Sequence, residues 1–240
     1  MRTDPFGAQS SAIATRRGGG AVPLRPGDYD APYASHWMQR AAIAVLVAAL
    51  CLALVNLVTE LRVAAMRTAL DAQQSEAEVA WPWLIDDRPA AMLAPRTALL
   101  RGMLRTYDAL DEPAPRRAVM LADAAVDLAR TRAVRTWWAE ADVAQSYRAL
   151  LADGPDSPAA LAGLVRSYES APFLRGAAPW RIRYGAALWA KLSAADHARI
   201  VDETVWLAGA SGRTYGYATG LVAGTPAEAP VAARLAETTR

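Results

Sequence analysis

Eighteen successive residues, Ala41 to Val58 (AAIAVLVAALCLALVNLV), carry no charge, and the chain on either side of them changes character. As a helix rising about 1.5 Å per residue this run is about 27 Å long, close to the hydrocarbon thickness of a bilayer. Tyr33, His36, Trp37 and Arg40 precede it, and Thr59, Glu60 and Arg62 close it. An amphipathic ring beside a cation suits the headgroup level, which makes Trp37 and Arg40 the predicted membrane-interface residues of a transmembrane helix over 37–59. Asn56 is polar but lies near the end of the run, where it can reach the interface or bond to a second helix. A cleaved signal peptide starting at Met38, with Val63-Ala64-Ala65 as its small-x-small site, is the rival. The apolar run is longer than such peptides use, and the upstream tail would then go unexplained.

Upstream, residues 1–36 show no apolar periodicity and hold Gly18-Gly19-Gly20, Pro23, Pro26, Gly27 and Pro32, the composition of a disordered tail. Downstream, residues 60–80 contain no Gly or Pro and are rich in helix formers. Leu61, Ala65, Ala69 and Ala72 make a narrow face there, and a helical stalk is expected, stopped by Pro82.

From 81 to 209 the pattern predicts a series of helices cut by proline and glycine. One runs from Arg96 to Leu110, with Leu99, Leu100, Met103, Leu104 and Tyr107 on one face. Pro115 opens a second, to about Thr131, with Ala118, Leu121, Ala122, Ala125, Leu128 and Ala129 as its expected buried stripe. A third spans Val134 to Ala152, with Trp137, Ala141, Ala144 and Leu151 together. Ser157-Pro158 reads as a cap followed by a first-turn proline. Pro179 opens a further helix through Ile182, Ala186, Trp189 and Leu192. Ser193 with Asp196 caps another, ending near Gly209. No stretch alternates at period two, so the expected class is all-α: a transmembrane helix followed by a domain of helical hairpins. Residues 210–240, with four Gly and two Pro, read as a flexible tail.

Charge sharpens this picture by exclusion. The net charge is +2, and residues 60–240 balance to zero. A neutral surface with interspersed signs is unsuited to phosphate neutralisation, so no nucleic-acid partner is expected. The chain has one lysine against 25 arginines and abundant alanine, the codon signature of a GC-rich bacterial genome. Cys51, the only cysteine, lies inside the apolar run and reads as a small hydrophobe. The span is flanked evenly by Arg25 and Arg40 on one side and Arg62 and Arg67 on the other. Arg16-Arg17 tip the count towards a cytoplasmic N-terminus, which places the domain in the periplasm of an inner-membrane protein.

Ala160, Leu161, Gly163, Leu164 and Tyr168 resemble the first helix of one tetratricopeptide repeat, although no 34-residue period recurs. The resemblance implies a helical-hairpin fold. A further stretch comprises Ala171-Pro172-Phe173, Pro179-Trp180-Arg181-Ile182-Arg183-Tyr184, Trp189, Leu192 and Glu203-Thr204-Val205-Trp206-Leu207. It resembles small single-pass accessory proteins found beside bacterial exopolysaccharide and O-antigen polymerisation genes. That resemblance implies a periplasmic helper role and carries over no catalytic residue.

Chemistry is sparse. The two histidines, His36 and His197, form no HExxH or Cys/His pattern, so no metal and no cofactor are expected. Ser193 and Asp196 are better used as caps than in a triad. Asp86-Asp87 and Asp111-Glu112 are paired carboxylates beside prolines, suited to solvated loops or caps. Trp81, Trp83, Asp86 and Asp87 are the candidate binding surface, because exposed Trp can stack on sugar rings. The other Trp residues are expected mostly in the core. The expected function is a non-enzymatic membrane-anchored interaction module in an envelope complex, with the bilayer, other envelope membrane proteins and polysaccharide as partners. The alternatives are a glycan-acting enzyme using Asp86 and Asp87, or a generic membrane scaffold.

Overall fold

Prolines and serines set most of the helix boundaries in the computed structural model, which describes residues 33–75 and 87–238. Every regular element among them is helical: α1 (Tyr33–Ser75), α2 (Pro95–Asp108), α3 (Ala114–Val134), α4 (Ala139–Asp153), α5 (Pro158–Ser170), α6 (Ala178–Ala187), α7 (Ala194–Gly209), α8 (Gly212–Val222) and α9 (Glu228–Thr238). Pro95, Pro115, Pro158 and Pro179 each occupy a first-turn position, where the missing N–H would have no partner anyway. Ser157 accepts from the Ala160 amide and Ser193 from the Asp196 amide, the two serine caps expected from sequence.

The chain divides into two compact units, Met1–Leu52 and Ala53–Arg240. Of the first, the described part is the start of α1. α1 is the one helix among the described residues long and apolar enough to cross a membrane, and none of its apolar window is buried in protein. Its exposed positions face all round the helix: Val45, Leu46, Val47, Leu50, Leu52, Leu54 and Val55. Cys51 is exposed within it. The expected tail over 1–36 falls outside the described residues, save for 33–36, which are helical.

In the second unit, α1 differs from the expected free stalk. Val63, Ala65, Met66, Ala69, Leu70 and Ala72 are buried, with Met66, Ala69 and Leu70 packed against Leu104, Leu100, Met103 and Tyr107 of α2. Leu61, placed on the narrow face by its spacing, is exposed. The stalk's last residues, 76–80, lie outside the described residues.

The remaining helices stack as hairpins, α2 with α3, α4 with α5, and α6 with α7. Each crossing brings one glycine against the facing helix. A Cβ added at Gly102 would stand 2.9 Å from Leu128 Cγ, at Gly163 2.8 Å from Ser146 Cβ, and at Gly185 2.5 Å from Ile200 Cδ1. These distances leave no room for a methyl group.

Two expectations about boundaries and faces are corrected. α4 begins at Ala139, not Val134: Arg135 and Trp138 are extended, and no Gly or Pro announces the break. On α3 the buried residues are Leu121, Ala124, Asp127, Leu128 and Thr131, while Ala118, Ala122 and Ala129 are exposed. The helix is turned so that a carboxylate faces inward, which an apolar stripe cannot reveal.

The segment after Gly209 is also corrected. Instead of a flexible tail it forms α8 and α9. Ser211 and Thr214 make a reciprocal capping box at the start of α8. Gly224, at φ +72°, makes the turn between the two helices. Ala218, Val222, Ala227 and Val231 are buried against Ala178, Ile182, Ala186, Leu207 and Ala208. Glycine in a helix costs about 1 kcal/mol per residue, and this burial offsets it.

Candidate aromatic cleft

Each hairpin has a buried carboxylate that meets an arginine across helices. In the first, Arg101 of α2 donates through Nε to Asp127 Oδ2 at 2.9 Å and through Nη2 to Oδ1, while Arg105 adds a contact at 2.8 Å. In the second, Asp142 of α4 faces Arg132 at 3.5 Å and Arg166 at 3.4 Å, and accepts from Ser170 Oγ at 3.1 Å. In the third, Arg181 of α6 and Glu203 of α7 are both fully buried. A buried charge survives only when paired and hydrogen-bonded, so these six elements are locked in register by the pairs.

The third pair also builds a wall. Arg181 Nε donates to Glu203 Oε2 at 3.2 Å, and Nη2 donates to Oε1 and to the Pro172 carbonyl, the latter at 3.2 Å. Nη1 donates to the carbonyls of Ser167 at 3.0 Å and Ala171 at 2.9 Å. All five guanidinium N–H groups are thereby satisfied. Glu203 Oε1 also accepts from the Leu174 amide at 3.1 Å. The Tyr168 ring lies under the guanidinium, 4.2 Å from centroid to Cζ. Loop 171–177 is therefore fixed by backbone groups held from inside the fold.

Leu174, Gly176 and Ala177 of that loop form one side of a cleft of about 420 Å³. Met103, Thr106 and Tyr107 of α2 and Glu140, Val143, Ala144 and Tyr147 of α4 form the rest, with Trp180 of α6. Its aromatic residues run in sequence. Tyr107 and Tyr147 have centroids 5.7 Å apart, and Tyr147 meets Trp180 edge-to-face at 5.9 Å. Trp180 continues to Tyr184 at 5.0 Å. Burial pushes the Tyr107 and Tyr147 phenols above their usual value, so both remain neutral hydroxyls at physiological pH. The cleft thus offers aromatic surface, neutral hydroxyls and one carboxylate, Glu140, a combination suited to binding a molecule that is part apolar and part polar.

The residues singled out from sequence lie elsewhere. Asp87 is exposed, whereas Trp81, Trp83 and Asp86 lie outside the described residues. Trp37 is exposed on α1, as is Arg40. Glu112 pairs with Arg116 at 3.4 Å, and its neighbour Asp111 ends a short 3-10 turn. His197 is half-buried and stacked on Trp189 at 3.9 Å, with Nε2 2.7 Å from the Trp189 carbonyl, which can only accept. None of the described tryptophans is fully buried: Trp37, Trp137 and Trp206 are exposed, and Trp138, Trp180 and Trp189 are half-buried. The expectation of tryptophans in the core is corrected accordingly. The described core is built mainly from Ala, Leu, Ile and Val with Tyr168 and Tyr184, and the large indoles sit where one edge stays wet.

Sequence reading passed over the cleft because its three rings come from three helices, at positions 107, 147 and 180. Tyr107 and Trp180 did appear in apolar or aromatic patterns, but nothing local says that they meet. No protein-family model matches this chain, and neither a curated protein nor a solved structure is similar to it.

Proposed function

We propose that this chain is a non-enzymatic, single-pass inner-membrane protein whose helical domain lies in the periplasm, with its N-terminus in the cytoplasm. In that setting it acts as an accessory to envelope polysaccharide synthesis or export, beside other membrane proteins of that machinery. The observation that carries the proposal is the aromatic cleft of Tyr107, Tyr147 and Trp180, whose rings are available to pack on sugar C–H faces. The apolar half of α1 supports membrane anchorage. The buried carboxylates Asp127, Asp142 and Glu203 are all engaged by arginine, which suits a structural role rather than acid–base work for them.

Complementation in the native host tests this. Deleting the chromosomal copy is expected to lower surface polysaccharide. A copy carrying Asp86→Asn and Asp87→Asn is expected to restore it. A Tyr147→Ala copy that accumulates at the wild-type level on immunoblots is expected to fail. An inert Asn double variant would instead support the glycan-acting enzyme, and unchanged polysaccharide on deletion would remove the pathway assignment.

A further inference from the structure

The charge pattern of the cleft narrows what it takes. Of the side chains lining it, Glu140 alone is charged. It is exposed, in the first turn of α4, and makes no ion pair among the described residues. The contrast with the interior is direct, because Asp127, Asp142 and Glu203 each face an arginine. An uncompensated carboxylate beside three aromatic rings attracts a cation twice, by charge and through the negative faces of the rings. The same carboxylate repels an anionic ligand, and no arginine or lysine in the lining offsets it. The volume of about 420 Å³ lies within the range of small-molecule sites.

We propose that the cleft binds an amino sugar in its free, protonated form. The sugar ring rests on Tyr147 and Trp180, and its ammonium group faces Glu140. This rests on the reading of the cleft as a glycan site and adds a charge requirement to it. The hydroxyls of Tyr107 and Tyr147 provide polar partners for the sugar hydroxyls. Acetylating the amine removes the charge and adds bulk, so the acetylated unit is disfavoured. A uronic acid is excluded by repulsion from Glu140.

The test is calorimetric titration of the full chain in detergent at pH 6, where the sugar amine is protonated. A glucosamine tetramer and an N-acetylglucosamine tetramer serve as probes. The free-amine tetramer is expected to bind about ten-fold more tightly, with the preference shrinking as salt is raised. Glu140→Gln is expected to abolish the preference while leaving the far-UV circular dichroism unchanged, since the side chain is exposed. Equal binding of the two tetramers would overturn the charge requirement and leave the glycan site standing. Binding of neither would overturn both. A preference that survives Glu140→Gln would place the charge recognition outside the cleft and overturn the inference.

Discussion

The Arg181–Glu203 pair and the aromatic cleft are joined by one loop, yet they follow opposite rules. Around Arg181 every N–H has an acceptor and the carboxylate has three N–H donors, and both side chains are fully buried. In the cleft the single carboxylate has no cation and the rings are only partly covered. The first arrangement leaves no bonding capacity for a ligand and holds loop 171–177 in place. The second keeps capacity in reserve. Proximity to charge is therefore a poor guide to function in this protein: the best-paired charges are structural, whereas Glu140, which makes no ion pair among the described residues, lines the cleft.

The largest effect should come from breaking the saturated side. Glu203→Ala leaves Arg181 buried without its counter-ion and is expected to cost about 3–5 kcal/mol, read as a lower urea midpoint of the full chain by circular dichroism. Replacing both partners by Met and Leu should not recover this. The carbonyls of Ser167, Ala171 and Pro172 would still lose their donors, unlike a pair whose bonds are only to each other.

A middle-sized effect is expected at the α4–α5 crossing, which carries the cleft's Tyr147 on one of its helices. Gly163→Val drives new atoms into Ser146, already 2.8 Å from a built Cβ, and is expected to cost about 1–3 kcal/mol. The same urea midpoint reads it. An unchanged midpoint would mean the helices part without penalty.

The smallest effect is alkaline. Burial, reinforced by the Glu203 charge and opposed by Arg181, holds the Tyr168 phenol well above its ordinary value. The unfolded chain then releases this proton first, near pH 10. The contribution is complete below that pH and declines as pH rises through and beyond it, because the unfolded state there binds fewer protons. Tyr168→Phe is expected to flatten the alkaline limb of a stability–pH curve measured from pH 8 to 11, leaving its neutral region in place. Identical limbs in the two proteins would assign the alkaline loss to other groups.

Much of the secondary structure is legible along the chain because its causes are local. Proline at 95, 115, 158 and 179, and serine at 157 and 193, act on the backbone next to them, and the helices start there. The uncharged run 41–58 is likewise self-evident, since length and apolarity need no partner. The unequal starts of the first helix in each hairpin, at Pro95, Ala139 and Ala178, explain why no fixed repeat period shows. Where sequence reasoning failed, the deciding partner was distant. The inward face of α3 depends on Arg101, 26 positions before Asp127. The order of α8 and α9 depends on Ile182 and Leu207 covering Val222 and Val231. Glycine-rich composition predicts disorder only until a ready-made apolar surface repays the ordering entropy.

By itself, then, the sequence determined an all-helical chain, most of its breaks and one helix apolar enough for a membrane, because propensity, capping and hydropathy act over a few neighbouring residues. Tertiary structure alone decided which carboxylates are buried against arginine, that the last helices dock, and that Tyr107, Tyr147 and Trp180 share one cleft with Glu140. Those outcomes depend on contacts between residues tens of positions apart, and their energies exist only once the helices have met.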